Sequence, residues 1–213
     1  MARKPADQSV NRDEIILAAA TVLHRQGYEA TTMKDIAAEV NLTAASLYHH
    51  FHNKDALLLA VLDSGISHVI SSLEPIVRGD QSNAEKLEAM IKVHVTSITQ
   101  HMAVGAAMIF EMRPLIHLEE LKKNYNHEPE LDQLIQTRDR FFQRRDHFEQ
   151  LFRQVIEAGI RSGEFRDVDA AIITKAILGA NNWVAVWYRE DGRLSGEAIA
   201  EMLAEQFLRT LQP

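Results

Sequence analysis

Two arginines seven residues apart interrupt an apolar stripe in the segment 131–162 and could bind an anionic group. Arg138 and Arg145 fill steps at which the stripe would otherwise carry apolar side chains, so on a helix they share nearly its inward face. Arginine holds a carboxylate or phosphate through two parallel hydrogen bonds, which would suit a ligand cavity. Both could equally extend to solvent or pair with a core carboxylate such as Glu111, and both interpretations stay open. The apolar members of the stripe are Leu134, Phe141, Phe148, Phe152 and Val155.

A second polar cluster, between Thr31 and Leu58, combines hydroxyl, aromatic and cationic side chains suited to nucleic acid. Hydroxyls, cations and helix N-termini can contact phosphates, whereas sequence is recognised at the base edges. On the short helix predicted from Ala44 to His50, alanines can pack against thymine methyl groups, and serine and histidine can donate or accept hydrogen bonds. The predicted base-facing residues are Ala44, Ala45, Ser46 and His49.

Two short helices joined by a turn would position this cluster. Apolar residues at helical spacing run from Met33 to Val40, and Thr32 precedes them as an N-cap. Asn41 tolerates the left-handed backbone that ends a helix, and Thr43 caps the helix that follows. The pattern predicts a helix-turn-helix, whose second helix lies in the major groove of DNA.

The pattern T-x-x-x-I-A-x-x-x-x-L-T-x-x-x-L-Y-x-H-F-x-x-K-x-x-L, which begins at Thr32, resembles the DNA-binding domain of the tetracycline-repressor-like (TetR) family of bacterial regulators. The chain has Asn41 where the family usually has glycine, and Ala45 where it often has glycine; both are sterically tolerable. The resemblance implies phosphate contacts from the matching threonines, tyrosine, histidine and lysine. The full predicted DNA-binding set is Thr32, Lys34, Thr43, Ala44, Ala45, Ser46, Tyr48, His49, His50 and Lys54.

The segment from Arg145 to Ser195 resembles the C-terminal domain of one TetR branch, through R-D-x-F-E-x-x-F, G-x-x-x-G-E-F-R-x-V-D and N-W-x-x-x-W-Y-x-x-D-G-R-L-S. That branch includes regulators that respond to coenzyme A thioesters, so the resemblance implies a similar small effector, an acyl-CoA. Trp183 and Trp187 share a helix face and could instead form a dimer seam. The predicted ligand-binding set is Met90, His94, Met102, Phe110, Arg113, Arg138, Phe141, Arg145, Phe148, Asn182, Trp183 and Trp187.

Composition limits the other function classes. The 213 residues include no cysteine, which excludes disulfides, thiol catalysis and cysteine-based metal sites. His49, His50 and His52 lack a third ligand at usable spacing, so we predict no metal site and no cofactor. No nucleophile, base and orienting residue stand together, which indicates that the chain is not an enzyme. No apolar run approaches the length of a membrane span and no signal peptide is recognisable, so we expect a cytoplasmic protein with no membrane partner.

The net charge of −7 is unusual for a DNA-binding protein, but it is unevenly distributed. Residues 1–60 hold six Lys/Arg against seven Asp/Glu, so most of the acidic excess lies in the rest of the chain. Phosphate contacts must therefore come from a few placed groups, and we expect a modest dependence of DNA affinity on salt.

Helical periodicity and the scarcity of glycine and proline predict an all-α fold with about nine helices. We expect an N-terminal arm and a three-helix DNA-binding domain over 1–52, and a helical ligand-binding and dimerisation domain over 53–213. A long helix that begins after Asn53 and ends before Pro75 would join them. The resemblance implies a homodimer through the last two helices that represses transcription from a palindromic double-stranded DNA operator. A helical adaptor is the alternative, although it would not need the polar pattern of the second cluster.

Overall fold

The computed structural model of this chain describes residues 10–111, 115 and 129–213. Within these ranges the chain forms nine α-helices with assigned bounds and no β-strand, which confirms the all-α prediction. Most of the predicted helical segment 115–125, and the predicted ligand residue Arg113, lie outside the described residues. The helices are α1 Arg12–Ala30, α2 Met33–Glu39, α3 Ala44–His50, α4 Lys54–Arg78, α5 Asn83–Gln100, α6 Met102–Phe110, α7 Pro129–Ser162, α8 Ala170–Trp187 and α9 Gly196–Leu211.

Side-chain caps begin α2 and α3 as the sequence predicts. Thr32 accepts the backbone N–H of Asp35, whose carboxylate accepts the N–H of Thr32 in return, so the capping box is present. Thr43 accepts the backbone N–H of Ser46 at the start of α3. Asn41 has the left-handed backbone expected of it, with φ at 56°. These local bonds satisfy N–H groups that a helix start leaves open, which fixes where each helix begins.

The predicted end of α4 before Pro75 is wrong, because the helix continues through this proline to Arg78. A proline inside a helix removes one backbone hydrogen bond and crowds the preceding turn. Here the proline is exposed, while Leu73 is fully buried and Ile76 and Val77 pack against the core on the following turn. This packing offsets the lost hydrogen bond.

The expectation that no apolar run approaches the length of a membrane span was also wrong for α4. Among the described helices, this one is long and apolar enough to cross a membrane by length and composition. It contacts α1, α5, α6 and α7, and 44% of its apolar window is buried inside the protein. A helix with neighbours on several sides is apolar on more than one face, and its composition then approaches that of a membrane helix.

One hydrophobic core runs through the molecule from α1 to α9. α5 packs against α4, α6, α7, α8 and α9, and its contact with α9 is the most extensive between any two described helices. α1 contacts α6 and α4 as well as α2, so it joins the three-helix unit to the larger helical unit. The core therefore continues across the expected boundary between residues 52 and 53.

Candidate functional site

α3 carries the predicted base-facing residues on the surface of the three-helix unit. Leu47 is fully buried and Phe51 is 3% exposed, so these two side chains fasten α3 to the core. Tyr48 between them is 49% exposed, which leaves its ring and hydroxyl available to a partner. The rest of the predicted set on this helix divides into exposed Thr43, Ala45, His49 and His50 and half-buried Ala44 and Ser46.

Two of the predicted phosphate-binding hydroxyls already act as helix caps. Thr32 and Thr43 are exposed, and each hydroxyl oxygen accepts a backbone N–H. The hydroxyl of Thr32 also donates to the Asp35 carboxylate, and that of Thr43 is hydrogen-bonded to the Ser46 hydroxyl at 2.9 Å. Lys34 is exposed on the first turn of α2. The hydrogen bonds from Thr32 to the Asp35 carboxylate hold the pKa of that carboxyl below its usual range. The negative charge at this helix start persists at neutral pH, where it suits the helix dipole.

Lys54 lies against the protein rather than projecting freely from it. Its Nζ donates to the backbone carbonyls of Tyr28 at 2.8 Å and Thr31 at 2.9 Å, and stands 4.1 Å from the centre of the Tyr28 ring. Two of the three ammonium hydrogens therefore satisfy carbonyls left open where α1 ends. The third is the one that could meet a phosphate, so a structural role accompanies the predicted DNA contact.

Tyr28 connects three helices at the base of the three-helix unit. Its hydroxyl donates to the Asp55 carboxylate on α4, and burial together with this hydrogen bond raises the pKa of the phenol. Its backbone N–H donates to Oε2 of Glu111, just after α6, at 3.0 Å. Gly27 before it has φ at 76°, a left-handed conformation that glycine adopts without strain, and this kink leaves the N–H free for Glu111.

A cavity of about 720 Å³ lies between the three-helix unit and the larger unit. It is lined by residues of α1, α4, α5, α6, α7 and α8, and by His101 between α5 and α6. The apolar part of its wall includes Ile16, Ile66, Val69, Ile98, Met108 and Phe148. The polar part includes Asp13, His68, His94, Arg145, Lys175 and Asn182.

The predicted ligand-binding set divides between this cavity and other places. His94, Arg145, Phe148 and Asn182 line the cavity. Met90 and Phe141 are fully buried in the core away from its lining, and the remaining described members also lie outside the lining. Those members are Met102, Phe110, Arg138, Trp183 and Trp187.

The two arginines of the α7 stripe have different surroundings. Arg138 is 6% exposed and donates through Nε and Nη2 to Oδ1 of Asp139, at 3.0 and 2.7 Å. Arg145 is exposed and borders the cavity, and no described carboxylate lies within ion-pair distance of it. The two side chains share nearly one direction on α7, so their different exposure reflects what surrounds each position. Arg138 therefore fits the interpretation in which the arginine pairs with a carboxylate. Arg145 fits the interpretation in which the arginine can bind an anionic ligand.

His94 is a buried member of the cavity lining. Its Nδ1 is 3.3 Å from Nδ2 of Asn181, and its ring meets that of Phe148 edge-on with centres 4.9 Å apart. Burial lowers the pKa of the imidazole to about 4, so the ring is neutral at physiological pH.

Sequence reasoning missed the contribution of α1 to the cavity. Asp13, Ile16 and Leu17 line it, although they belong to the predicted DNA-binding domain. The sequence did carry a signal for close helix packing at the cavity, although not for the role of α1. This signal is Gly65, in the middle of the apolar helix α4. A Cβ there would stand 2.6 Å from Cγ1 of Val104, so the glycine allows α6 to approach closely.

Further polar residues at the cavity were not predicted either. The rings of His68 and His101 meet edge-on with centres 5.6 Å apart, and Lys175 forms an ion pair with Glu149 at 3.0 Å. The spacing of these residues in the sequence did not indicate that the helices carrying them converge on one cavity. In the part of the chain that the structure describes, no group of three or more His, Asp or Glu side chains could hold a metal ion.

α8 carries an exposed apolar face. Ile172 is 62% exposed, Trp183 59% and Trp187 46%. At Gly179, on the same face, an added Cβ would meet no atom within 4 Å. Met202 of the neighbouring helix α9 is 51% exposed. Contiguous exposed apolar side chains of this size are typical of a surface that binds another protein.

Comparisons with known proteins agree with both halves of the chain. The model described as "Bacterial regulatory proteins, tetR family" matches residues 15–61, and "Tetracyclin repressor-like, C-terminal domain" matches residues 130–211. The chain is 28% identical over 207 residues to the HTH-type transcriptional repressor KstR2 of Rhodococcus jostii, covering 94% of this chain and 93% of the relative.

Two solved structures extend this similarity to the whole fold. The TetR family transcriptional regulator PfmR from Thermus thermophilus has a TM-score of 0.76 and 26% identity, covering 92% of this chain and 98% of PfmR. AibR in complex with isovaleryl coenzyme A and operator DNA has a TM-score of 0.71 and 26% identity, covering 95% of this chain and 98% of AibR.

Proposed function

Because this chain belongs to the TetR family of bacterial transcription regulators, we propose that it represses transcription from an operator and is released by a small effector. The observation that carries this proposal is the cavity, whose wall combines α1 of the DNA-binding unit with helices of the larger unit. A ligand there would touch α1, which packs against α2, the helix on which α3 lies. We assign the chain no catalytic role and expect it in the cytoplasm, with the DNA that it binds.

For DNA binding, we propose that α3 enters the major groove, with phosphate contacts from its two ends. Tyr48 and His50 would contact the backbone, together with the cap hydroxyls of Thr32 and Thr43 and the remaining hydrogen of Lys54. These side chains are exposed or partly exposed, and the two threonines stand at helix N-termini, where phosphates are commonly bound; both observations support these roles. The small side chains on α3 offer few hydrogen bonds to bases, so the operator sequence must come from experiment.

For the oligomer, we propose a symmetric dimer in which α8 and α9 pair with the same helices of a second chain. Trp183, Trp187 and Ile172 would form the centre of this interface, since each is roughly half exposed or more in the single chain. A two-fold axis there would set two copies of α3 about one DNA turn, or roughly 34 Å, apart on a palindromic operator.

For the effector, we propose an acyl-coenzyme A thioester. AibR, of similar fold, is described with isovaleryl coenzyme A and operator DNA. In this chain the apolar wall suits an acyl group, while Arg145 and Lys175 supply positive charge where the cavity reaches solvent. Arginine and lysine bind phosphates, which a coenzyme A carries and a free hydrocarbon lacks.

Release from DNA requires that the effector prefer the conformation that does not bind the operator. Each tenfold loss of operator affinity needs a preference of about 1.4 kcal/mol between the two conformations. A ligand that pushes apart α1 and α8 would supply such a preference through Leu17 and Asp13, which line the cavity from the DNA-binding side.

The test begins by selecting operator DNA from random sequences with the full-length protein, and then adding a panel of acyl-coenzyme A thioesters. A palindrome that a thioester releases is the expected result. A palindrome that none releases would contradict the effector class, and no enriched DNA would contradict the regulator itself.

Arg145→Ala and Arg144→Ala form a matched pair for the effector site. Arg144 is the adjacent residue but pairs with Asp63 at 2.5 Å and Ser67 at 2.8 Å, outside the cavity lining. We expect Arg145→Ala to keep operator binding and to need about tenfold more thioester for release. Arg144→Ala should respond as the unsubstituted protein does, and equal effects of the two changes would contradict the assignment of Arg145.

A further inference from the structure

A buried hydrogen bond between Asn181 and His94 bears on which nitrogen of the imidazole carries the proton. Asn181 is fully buried on α8, and its Nδ2 is directed at Nδ1 of His94. An amide nitrogen can only donate, so with the amide in this orientation Nδ1 accepts the hydrogen bond. A neutral imidazole has one N–H, and that hydrogen then resides on Nε2.

Nε2 of His94 faces the cavity. Among the described residues, Arg153 Nε and Asn181 Oδ1 are the buried side-chain polar atoms without a hydrogen-bond partner, and His94 Nε2 is not one of them. The hydrogen bond of the ring is made at Nδ1, and Nε2 has no partner in the described part of the chain. Since Nε2 is nevertheless not a fully buried atom, it retains exposed surface, which we infer lies on the cavity that His94 lines. In this tautomer the ring presents one unpaired N–H to the cavity.

The surroundings of this N–H are aromatic and apolar. Phe148 and Phe152 pack against the His94 ring with centres 4.9 and 6.1 Å away. His94 is 5% exposed, whereas Arg145 of the same cavity is exposed to solvent. In the proposed binding mode the charged part of the effector lies on the solvent side of the cavity with Arg145, and the acyl group lies on the buried side with His94.

We propose that His94, held in one tautomer by Asn181, donates a hydrogen bond from Nε2 to an acceptor oxygen on the buried end of the acyl group. This rests on the proposed function and narrows the effector to acyl thioesters that carry a keto or hydroxyl oxygen away from the coenzyme A. An unsubstituted hydrocarbon chain would leave the N–H without a partner, and an unmet buried donor weakens binding. Because the ring is neutral, a neutral oxygen suits it better than a carboxylate.

The proposal is tested with thioesters that differ by one oxygen. The probes are octanoyl-coenzyme A and its 5-oxo and 7-oxo forms, titrated against the full-length protein by calorimetry. We expect one oxo form to bind about tenfold more tightly than octanoyl-coenzyme A, the effect of one buried hydrogen bond. In His94→Phe, which keeps an aromatic ring without the donor, this ratio should fall to about one.

Phe148→Leu is the matched control because it changes the same wall without removing a polar group. It should weaken both thioesters by a similar factor and keep their ratio. Equal affinity of the unsubstituted protein for all three probes would overturn the proposal, as would a ratio that persists in His94→Phe.

A second measurement does not depend on any variant or ligand. Nitrogen-15 NMR of histidine-labelled protein distinguishes the two neutral tautomers of His94, and we expect the Nε2-protonated form at neutral pH. The Nδ1-protonated form would overturn the proposal. If none of the thioesters binds, the acyl-coenzyme A class fails as the proposed effector, while the tautomer still decides whether His94 offers a donor to the cavity.

Discussion

The carboxylate of Glu111 accepts the backbone N–H of Tyr28 at 3.0 Å, across 83 residues of sequence. Glu111 immediately follows α6, and Val104, Gly105 and Met108 of that helix line the cavity. Tyr28 precedes the two helices of the DNA-reading unit and contacts α4 through Asp55. A displacement of α6 by a ligand would therefore reach the DNA-binding unit through this hydrogen bond as well as through the packing of α6 against α1.

Glu111→Ala should weaken the coupling between the cavity and the operator. The Tyr28 N–H would lose its acceptor, and we expect the free energy of unfolding to fall by about 1 kcal/mol because the site is only partly buried. The thioester should still bind, but it should release the operator less completely, as measured by calorimetry and fluorescence anisotropy. Glu111→Gln retains an acceptor oxygen and should behave nearly normally. Full release by the thioester in Glu111→Ala would show that coupling takes another route.

Tyr48→Ala should strongly weaken operator binding without unfolding the protein. The side chain is 49% exposed, so its removal should change the free energy of unfolding by less than about 0.5 kcal/mol. Operator affinity should fall by about tenfold or more, measured by anisotropy on the selected palindrome. Leu47→Ala, one residue earlier but fully buried, should instead lower the stability by about 2–5 kcal/mol. Undiminished DNA binding in Tyr48→Ala would remove this residue from the interface.

Trp183→Glu should convert the dimer to a monomer, because it places a charge in the centre of the proposed apolar interface. Sedimentation equilibrium measures the mass of the particle. Operator affinity should also fall, because a monomer contacts only one half-site and binds it weakly. Ser71→Glu adds the same charge on the exposed side of α4 and should leave the mass unchanged. A dimer that survives in Trp183→Glu would mean that another surface pairs the chains.

The buried His94 should make stability depend on pH in the acidic range. Burial lowers its pKa from 6.5 to about 4, so the unfolded chain takes up this proton at higher pH than the folded chain. The contribution of His94 to the free energy of unfolding is therefore fully present above pH 6.5 and is lost as the pH falls towards 4. The total loss is about 3 kcal/mol. His94→Gln does not titrate, and its unfolding free energy in urea should fall less over the same range. Parallel pH profiles for the two proteins would contradict this assignment.

Local features were predictable where a side chain acts on its own neighbourhood in the sequence. The caps at Thr32 and Thr43 and the left-handed Asn41 follow from residue type and spacing, because their partners lie within three residues or in their own backbone. The all-α class follows from periodicity in the same way. These features required no knowledge of which helices meet.

Features that depend on tertiary packing were not predictable. The helix continues past Pro75 because of core contacts, and the burial of Arg138 and exposure of Arg145 depend on what packs around each part of α7. Lys54 bonds to carbonyls that precede it by more than twenty residues, and no pattern in the sequence marks them as its partners. The α1 wall of the cavity was missed for the same reason.

That wall bears on how such regulators can be recombined. The side chains of Asp13, Ile16 and Leu17 belong to the DNA-binding unit by sequence but to the cavity by position. Exchanging this unit for one from another regulator would therefore change the shape and charge of the ligand site along with the operator. A chimera intended to redirect the effector response to a new promoter must carry these three side chains with the recipient cavity.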